Sequence, residues 1–303
     1  LPTPYLTGLK LQAGISLGDL KLNFIEDPTD ENGYIDPVIW VCSDIDGWWQ
    51  QPDVEIPDLP RGWGDGSYDS KGRYTAREIT LSGSILVQNP KDTPAARNKL
   101  VQATNLVSKG TWLKVDESPS KASFVRLSGR PEITSVNARG RIDFSIDLKA
   151  GDPIKYEWVD DSFYTYNSVT IPAGAQFPAS RVEVENIGNI PVPAIFRIEG
   201  GVASASPGSP AVIYVSSSAG VIYGTITIVA PIAATETLDI DTYSREVSIS
   251  TSGSDIVTSG RSRTETLLDW AYLLEYPEKT YIEFTDPDGL ASLTVLYKSG
   301  WIG

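Results

Sequence analysis

Two short segments place carboxylates two residues apart, Asp44-Ile45-Asp46 and Asp239-Ile240-Asp241. On a strand such a pair shares one face. That arrangement suits acid–base work between two carboxyls, or a calcium ion. Alternation in any half-exposed strand gives the same pairs, and Leu238-Asp239-Ile240 reads as one buried and one wet face, so both are assigned to structure. Asp286-Pro287-Asp288-Gly289 opens like a calcium loop but lacks the later ligands and the closing Glu. It reads instead as the turn of a last hairpin joining residues 281–284 to 293–297. Gly62, Gly64, Gly66 and Gly72 crowd one segment. The Gly-Lys-Ser/Thr ending and the following helix of a phosphate loop are missing. The chain has no histidine, which excludes Ser-His-Asp and Cys-His catalysis and removes the commonest zinc ligand. A single cysteine, Cys42, rules out an internal disulfide and reads as a small buried strand residue. No catalytic residue, metal site or cofactor is assigned, and the chain is read as a non-enzyme.

The densest unexplained chemistry is aromatic and cationic. Trp48, Trp49, Trp63, Tyr68 and Tyr74 share one stretch with Arg61, Arg73 and Arg77. Aromatics that stack on bases, with arginines that neutralise phosphate, are one reading of such a set. Asp65, Asp69 and Glu78 lie among them, however, and the formal net charge is -14, the wrong sign for gripping nucleic acid. Rigid amphipathic aromatics with arginine are also the residue types that dominate protein–protein contacts. Pro52, Pro57 and Pro60 stiffen the segment. These eight residues are therefore the candidate inter-subunit or partner interface. The competing reading is that the aromatics plug the core of their own barrel.

The elements that position this segment are mostly strands. The 303 residues suit two domains. Ile79, Leu81, Gly83, Ile85 and Val87 fall on one face of a period-two pattern. From Arg141 to Lys149, Ile142, Phe144, Ile146 and Leu148 alternate with polar residues. One helix is expected, with Thr93 as its cap, Pro94 at its first position and Gly110 at its end. Ala96, Leu100, Ala103 and Val107 form its apolar stripe. Gly151 to Pro178 breaks the pattern, and the domain boundary is placed early in this stretch. Alternating runs near Val182, Ile195, Val212, Ile222, Leu238, Val247, Tyr281 and Leu293 then predict an all-β second half. The stretches 204–210 and 250–262 read as exposed loops. No bilayer-spanning run or secretory signal is expected, and the absence of Met reads as removal of the initiator.

The segment from Gly47-Trp48-Trp49 through Asp58-Leu59-Pro60-Arg61-Gly62-Trp63-Gly64-Asp65-Gly66 to Thr80-Leu81-Ser82-Gly83 resembles minor tail proteins of siphophages, especially those of mycobacteria and other actinobacteria. With the closing Phe144-Ser145-Ile146-Asp147-Leu148 strand and Asp152-Pro153, the N-terminal half is similar to the distal tail (Dit-like) protein family. The resemblance implies a mainly β protein. Residues 1–153 would form a ring-building belt domain, a β-barrel or split barrel with one α-helix. Residues 154–303 would form a galectin-like β-sandwich, opening with a linker at 154–178. It further implies a homohexameric ring at the distal end of the tail, made in the host cytoplasm and carried in the virion. Its neighbours would be the tail tube protein, a trimeric baseplate hub and tail fibres. DNA would pass through without specific binding, which agrees with an acidic chain. Two other classes stay open: a carbohydrate-binding adhesin using Trp270, Tyr272 or Trp301, and a carboxylate glycosidase.

Overall fold

The computed structural model describes residues 14–25, 38–63, 65, 67–68, 70–87, 89–105, 109–136, 140–159, 165–176, 179–202, 210–217, 219–229, 231–251, 257–259, 264–266 and 279–303. The chain divides into two compact units, Leu1–Trp158 with Ile302–Gly303, and Val159–Trp301.

The first unit is a curled antiparallel sheet. Its strands are β1 (Ile15–Leu17), β2 (Leu20–Leu22), β3 (Phe24–Ile25), β4 (Val38–Asp46), the short β5 (Val54–Glu55), β6 (Leu59–Pro60), β7 (Ser67–Tyr68) and β8 (Arg73–Tyr74), then β9 (Arg77–Val87), β10 (Thr111–Val115), β11 (Lys121–Leu127), β12 (Glu132–Val136), β13 (Arg141–Ala150) and β14 (Lys155–Glu157). The main path runs β2-β1-β10-β11-β13-β9-β4-β3, with β12 on β13 and β14 on β11. Its two ends, β2 and β3, are separated in sequence only by Asn23, so the sheet curls back on itself as a barrel. Asn23 sits at φ 57, a conformation Asn tolerates better than most residues. Its side chain accepts the Cys42 N–H at 2.8 Å, closing the ladder where the seam bends.

Period-two alternation builds the core. Ile79, Leu81, Ile85 and Val87 of β9 and Ile142, Phe144, Ile146 and Leu148 of β13 are all buried, and the two strands pair along their length. Gly83 keeps this phase without a side chain for a steric reason. A Cβ there would stand 2.1 Å from the Val41 carbonyl oxygen and 2.6 Å from the Phe144 ring. The register of β4 shifts beside it, between Cys42 and Asp44. Asp44 and Asp46 lie on the exposed face while Ile45 between them is buried.

The helix differs from expectation at both ends. A 3-10 turn at Pro90–Asp92 precedes it, capped by Asn89, which accepts the Lys91 N–H; Thr93 is the first residue of the α-helix rather than its cap, and Asp92 at the cap position makes no side-chain cap hydrogen bond. The α-helix α1 covers Thr93–Ala103. It stops well before Gly110, with Thr104 at its C-cap donating both its backbone N–H and its hydroxyl to the Leu100 carbonyl at 3.0 Å each. Ala96 and Leu100 are its buried residues; Val107 lies outside the described residues.

The second unit holds two antiparallel sheets. Its strands are β15 (Asn167–Ile171), β16 (Arg181–Val184), β17 (Ala194–Glu199), β18 (Ala211–Ser217), β19 (Ile222–Ile228), β20 (Glu236–Asp241), β21 (Glu246–Thr251), β22 (Val257–Ser259), β23 (Thr264–Thr266), β24 (Thr280–Thr285) and β25 (Ser292–Tyr297). One sheet is ordered β15-β25-β17-β20-β21-β22, the other β16-β24-β18-β19-β23. Each buries one face, with Phe196, Ile198, Leu238 and Val295 in the first and Ile213, Val215, Ile226 and Ile282 in the second. This is the alternation of a β-sandwich. All eight runs expected in this half are strands. Ser250 falls within β21 and Val257–Ser259 forms β22, so the stretch at 250–262 is not wholly loop.

The expected last hairpin is corrected. Thr280–Thr285 pairs with β16 and β18, whereas Ser292–Tyr297 pairs with β15 and β17. The turn at 286–289 therefore carries the chain from one sheet to the other. Asp286 holds it, accepting the N–H groups of Leu290 and Ala291 at 2.8 Å each. Across the first sheet, Asp239 forms a two-point ion pair with Arg197 at 2.8 and 2.9 Å. Asp241 caps the following turn through Tyr243 N–H and the Ser244 hydroxyl. Both carboxylates thus have structural partners.

Candidate functional site

Between β4 and β9 the chain leaves the barrel as a narrow arm. Two short ladders hold it, Val54–Glu55 against Arg73–Tyr74 and Leu59–Pro60 against Ser67–Tyr68. Thr75 N–H donates to the Asp53 carbonyl at 2.8 Å and closes the arm at its base. Two residues per strand give little intrinsic stability, and proline stiffness with local side-chain contacts supplements it. Arg73 makes a two-point contact with Glu55 at 3.0 and 2.9 Å. Arg61 lies 5.8 Å from the centre of the Tyr68 ring. Both contacts are exposed and individually weak.

The arm has an apolar face. Val54 and Ile56 are 56% and 64% exposed, and Tyr74 sits directly opposite Val54. Gly72 lies beneath them, since a Cβ there would meet the side chains of Val54 and Ile56 at 3.0 and 3.2 Å. Trp63, near the tip, is 98% exposed. Trp49 and Tyr68 are also exposed. A set of large apolar side chains on a thin projection is costly to leave in water.

Trp48 and Arg77 are placed differently: both lie inside the unit's own core. They form the arm's root. Gly47 turns the chain at φ +79, where a Cβ would collide with the Glu78 carbonyl oxygen. This turn sends Trp48 inward and Trp49 outward. The Trp48 indole N–H donates to Glu117, which also accepts from Lys121 at 2.7 Å. Lys155 donates to the Trp48 carbonyl at 2.8 Å and lies 4.9 Å from the indole centre. Arg77 donates to the carbonyls of Gly47, Gln50, Pro153 and Ile302 at 3.0, 2.7, 3.0 and 2.5 Å, and to that of Trp48 at 3.2 Å. One planar guanidinium thus satisfies carbonyls from three separate chain segments, a task suited to its fixed fork of donors.

Burial lowers Arg77 to about 10, opposed by the nearby Asp152 carboxylate. It stays charged at neutral pH. Burial, reinforced by the Arg77 charge, pushes Lys155 down to about 8, while Glu117 acts in the opposite direction. This shift has a defined consequence. Below about pH 8 the amine is protonated in both the folded and the unfolded chain, and the cost of burying its charge is borne in full. As pH rises from about 8 towards 10.5, the unfolded chain keeps a proton that the folded chain has released, so this site adds stability. The melting temperature of the wild type relative to Lys155→Met is therefore expected to rise between about pH 7 and about pH 10. A pH-independent difference contradicts this placement of Lys155.

Of the eight residues singled out in the sequence, the structure gathers Arg61, Trp63, Tyr68, Arg73 and Tyr74 on the arm and Trp49 at its base, and sends Trp48 and Arg77 into the root. Val54, Ile56, Lys155 and Glu117 were not singled out. The alternation of Val54 with Ile56 was a signal for a one-sided face. No signal marked Lys155, whose partners, the carbonyl and the indole of Trp48, are distant in sequence. Among the described residues no group of acidic or cysteine side chains could hold a metal ion. Trp301 is largely buried, and Trp270 and Tyr272 lie outside the described residues.

No family model matches the sequence, and no curated protein matches it. Solved structures are similar to this chain. The SPP1 Dit protein, described as a paradigm of the hub adsorption apparatus in phages infecting Gram-positive bacteria, aligns with a TM-score of 0.56 at 12% identity, over 85% of this chain and 93% of that one. A chain of the phage P2 baseplate in its activated conformation with calcium aligns at a TM-score of 0.43 and 12% identity, over 95% of this chain and 98% of that one. The mainly β architecture, a curled barrel sheet with one helix followed by a sandwich, is thus a fold shared with SPP1 Dit.

Proposed function

We propose that this chain is a distal tail protein of a long, non-contractile bacteriophage tail, related to those of mycobacteriophages, and that its copies form a ring at the tail tip. The observation that carries the reading is the arm, a free-standing ribbon whose exposed Trp63, Tyr68, Val54 and Ile56 have no cover within their own unit. The fold shared with SPP1 Dit across most of both chains supports it.

In this reading six copies close the ring, with the tail tube protein on one side and a trimeric hub with its fibres on the other. The chain is a structural part of the virion and catalyses nothing. DNA crosses the ring without being held, because a net charge of -14 repels phosphate rather than replacing its counterions.

Trp63 offers the sharpest single-residue test. It touches little of its own chain, so Trp63→Ala leaves the fold intact. Loss of a fully exposed tryptophan that becomes an interface anchor costs about 2 kcal/mol or more per contact. Negative-stain microscopy of the wild type is expected to show ring-shaped particles, and the variant, with an unchanged circular dichroism spectrum, to show few or none. Equal numbers of rings from the two proteins remove Trp63 from the interface.

A further inference from the structure

The barrel unit carries a second open surface that the arm fits. Helix α1 and strand β12 enclose a groove of about 1080 Å³, lined on the helix side by Arg97 and Val101 and on the strand side by Arg130, Pro131, Glu132 and Ile133. Val101 projects there, 50% exposed on an otherwise polar helix face. Among the described residues strand β12 pairs with β13 alone, so its other edge offers N–H and C=O groups to an added strand.

We infer that this groove receives the arm of a second copy of the chain. The inference rests on the ring reading and assigns it a contact. Three observations favour this occupant. First, the chemistry matches: the arm offers a one-sided apolar ribbon of Val54, Ile56 and Tyr74, and among the described residues its strands pair only with each other. The groove offers Val101, Pro131 and Ile133 beside a free strand edge. Second, the charges match. Asp53 and Asp58 on the arm and Arg97 and Arg130 in the groove form no ion pair among the described residues. Glu132 of the groove has a counterpart of opposite sign in the arm's Lys71, also without an ion pair. Third, the placement matches. The arm enters β9 at Arg77, whereas α1 follows the other end of β9, and β12 lies across β13 from that end. Eleven strand residues separate the two ends by about 35 Å. Giving and receiving surfaces are therefore distinct patches, as a head-to-tail contact requires and a two-fold dimer contact does not.

The test uses the full chain with Ile56→p-benzoylphenylalanine, mixed with heavy-isotope-labelled wild type, irradiated, and analysed by peptide mass spectrometry with the solution mass measured in parallel. Crosslinks from position 56 to residues 97–105 or 130–134 of the labelled chain are expected. Arg97→Glu in the labelled chain is expected to reduce them and to weaken assembly about tenfold. If the protein assembles but the crosslinks map elsewhere, the groove assignment falls while the ring reading stands. Crosslinks confined within single chains overturn the assignment, because the arm then packs on its own barrel. A mass of one chain at every concentration, with no crosslink between chains, overturns the ring reading and this inference together.

Discussion

Arg77→Ala is expected to lower the stability of the barrel unit by about 3–5 kcal/mol, the scale seen when a buried charged group is removed from its partners. The side chain is fully buried and donates to carbonyls of Gly47, Trp48, Gln50, Pro153 and Ile302. Its removal leaves these acceptors in a site with little access to water. Each buried acceptor left without a donor costs about 1–3 kcal/mol before relaxation. Relaxation in turn moves the arm root, because residues 47–50 have Arg77 as their shared anchor. Arg77→Lys does not restore the loss: an ammonium presents three donors from one point and cannot span carbonyls on three segments. Urea unfolding of each variant, with amide exchange read at residues 47–50, checks the prediction. A loss below about 1 kcal/mol, within the range of ordinary surface changes, contradicts the role given to Arg77.

Excision of the arm should separate folding from assembly completely. Asp53 and Thr75 are held together by the last hydrogen bond at the arm's base, at 2.8 Å. Replacing residues 54–74 with a two-residue Asn-Gly turn keeps that closure and suits a tight hairpin connection. Among the described residues the excised segment contributes none to the barrel's buried core cluster, so the shortened chain is expected to melt within a few degrees of the wild type. Its capacity to form multimers is expected to vanish at concentrations where the wild type assembles. A shortened chain that still assembles would place the ring contact elsewhere, and one that fails to fold would make the arm a structural element of its own barrel.

Much of the scaffold was legible in the sequence because burial on one face of a strand writes itself as alternation. Strands β9 and β13 are the clear cases. The same rule bears on Arg77, which stands two residues before Ile79 and so shares its buried phase; grouping it with the arm's arginines by composition passed over that phase. Trp48 and Trp49 illustrate the converse. Their types and positions are nearly identical, and only the left-handed turn at Gly47 sends one inward and one outward. The turn at 286–289 was recognisable as a turn, but turn residues do not specify which sheet the next strand joins. That choice is made by tertiary pairing, here with β15 and β17. The helix ends at Ala103 with Thr104 as its C-cap, a local end that an apolar period does not register. The groove between α1 and β12 could not be read at all, since its two walls come from segments that meet only in the folded chain.

The measurement that bears most directly on the proposed role is the solution mass of the wild-type protein by light scattering over a concentration series. The ring reading predicts that the mass rises from one chain of 32.9 kDa to a single closed multiple of it and then stops, as a head-to-tail contact that closes on itself requires. A mass that stays at one chain throughout, or that grows without limit, contradicts it.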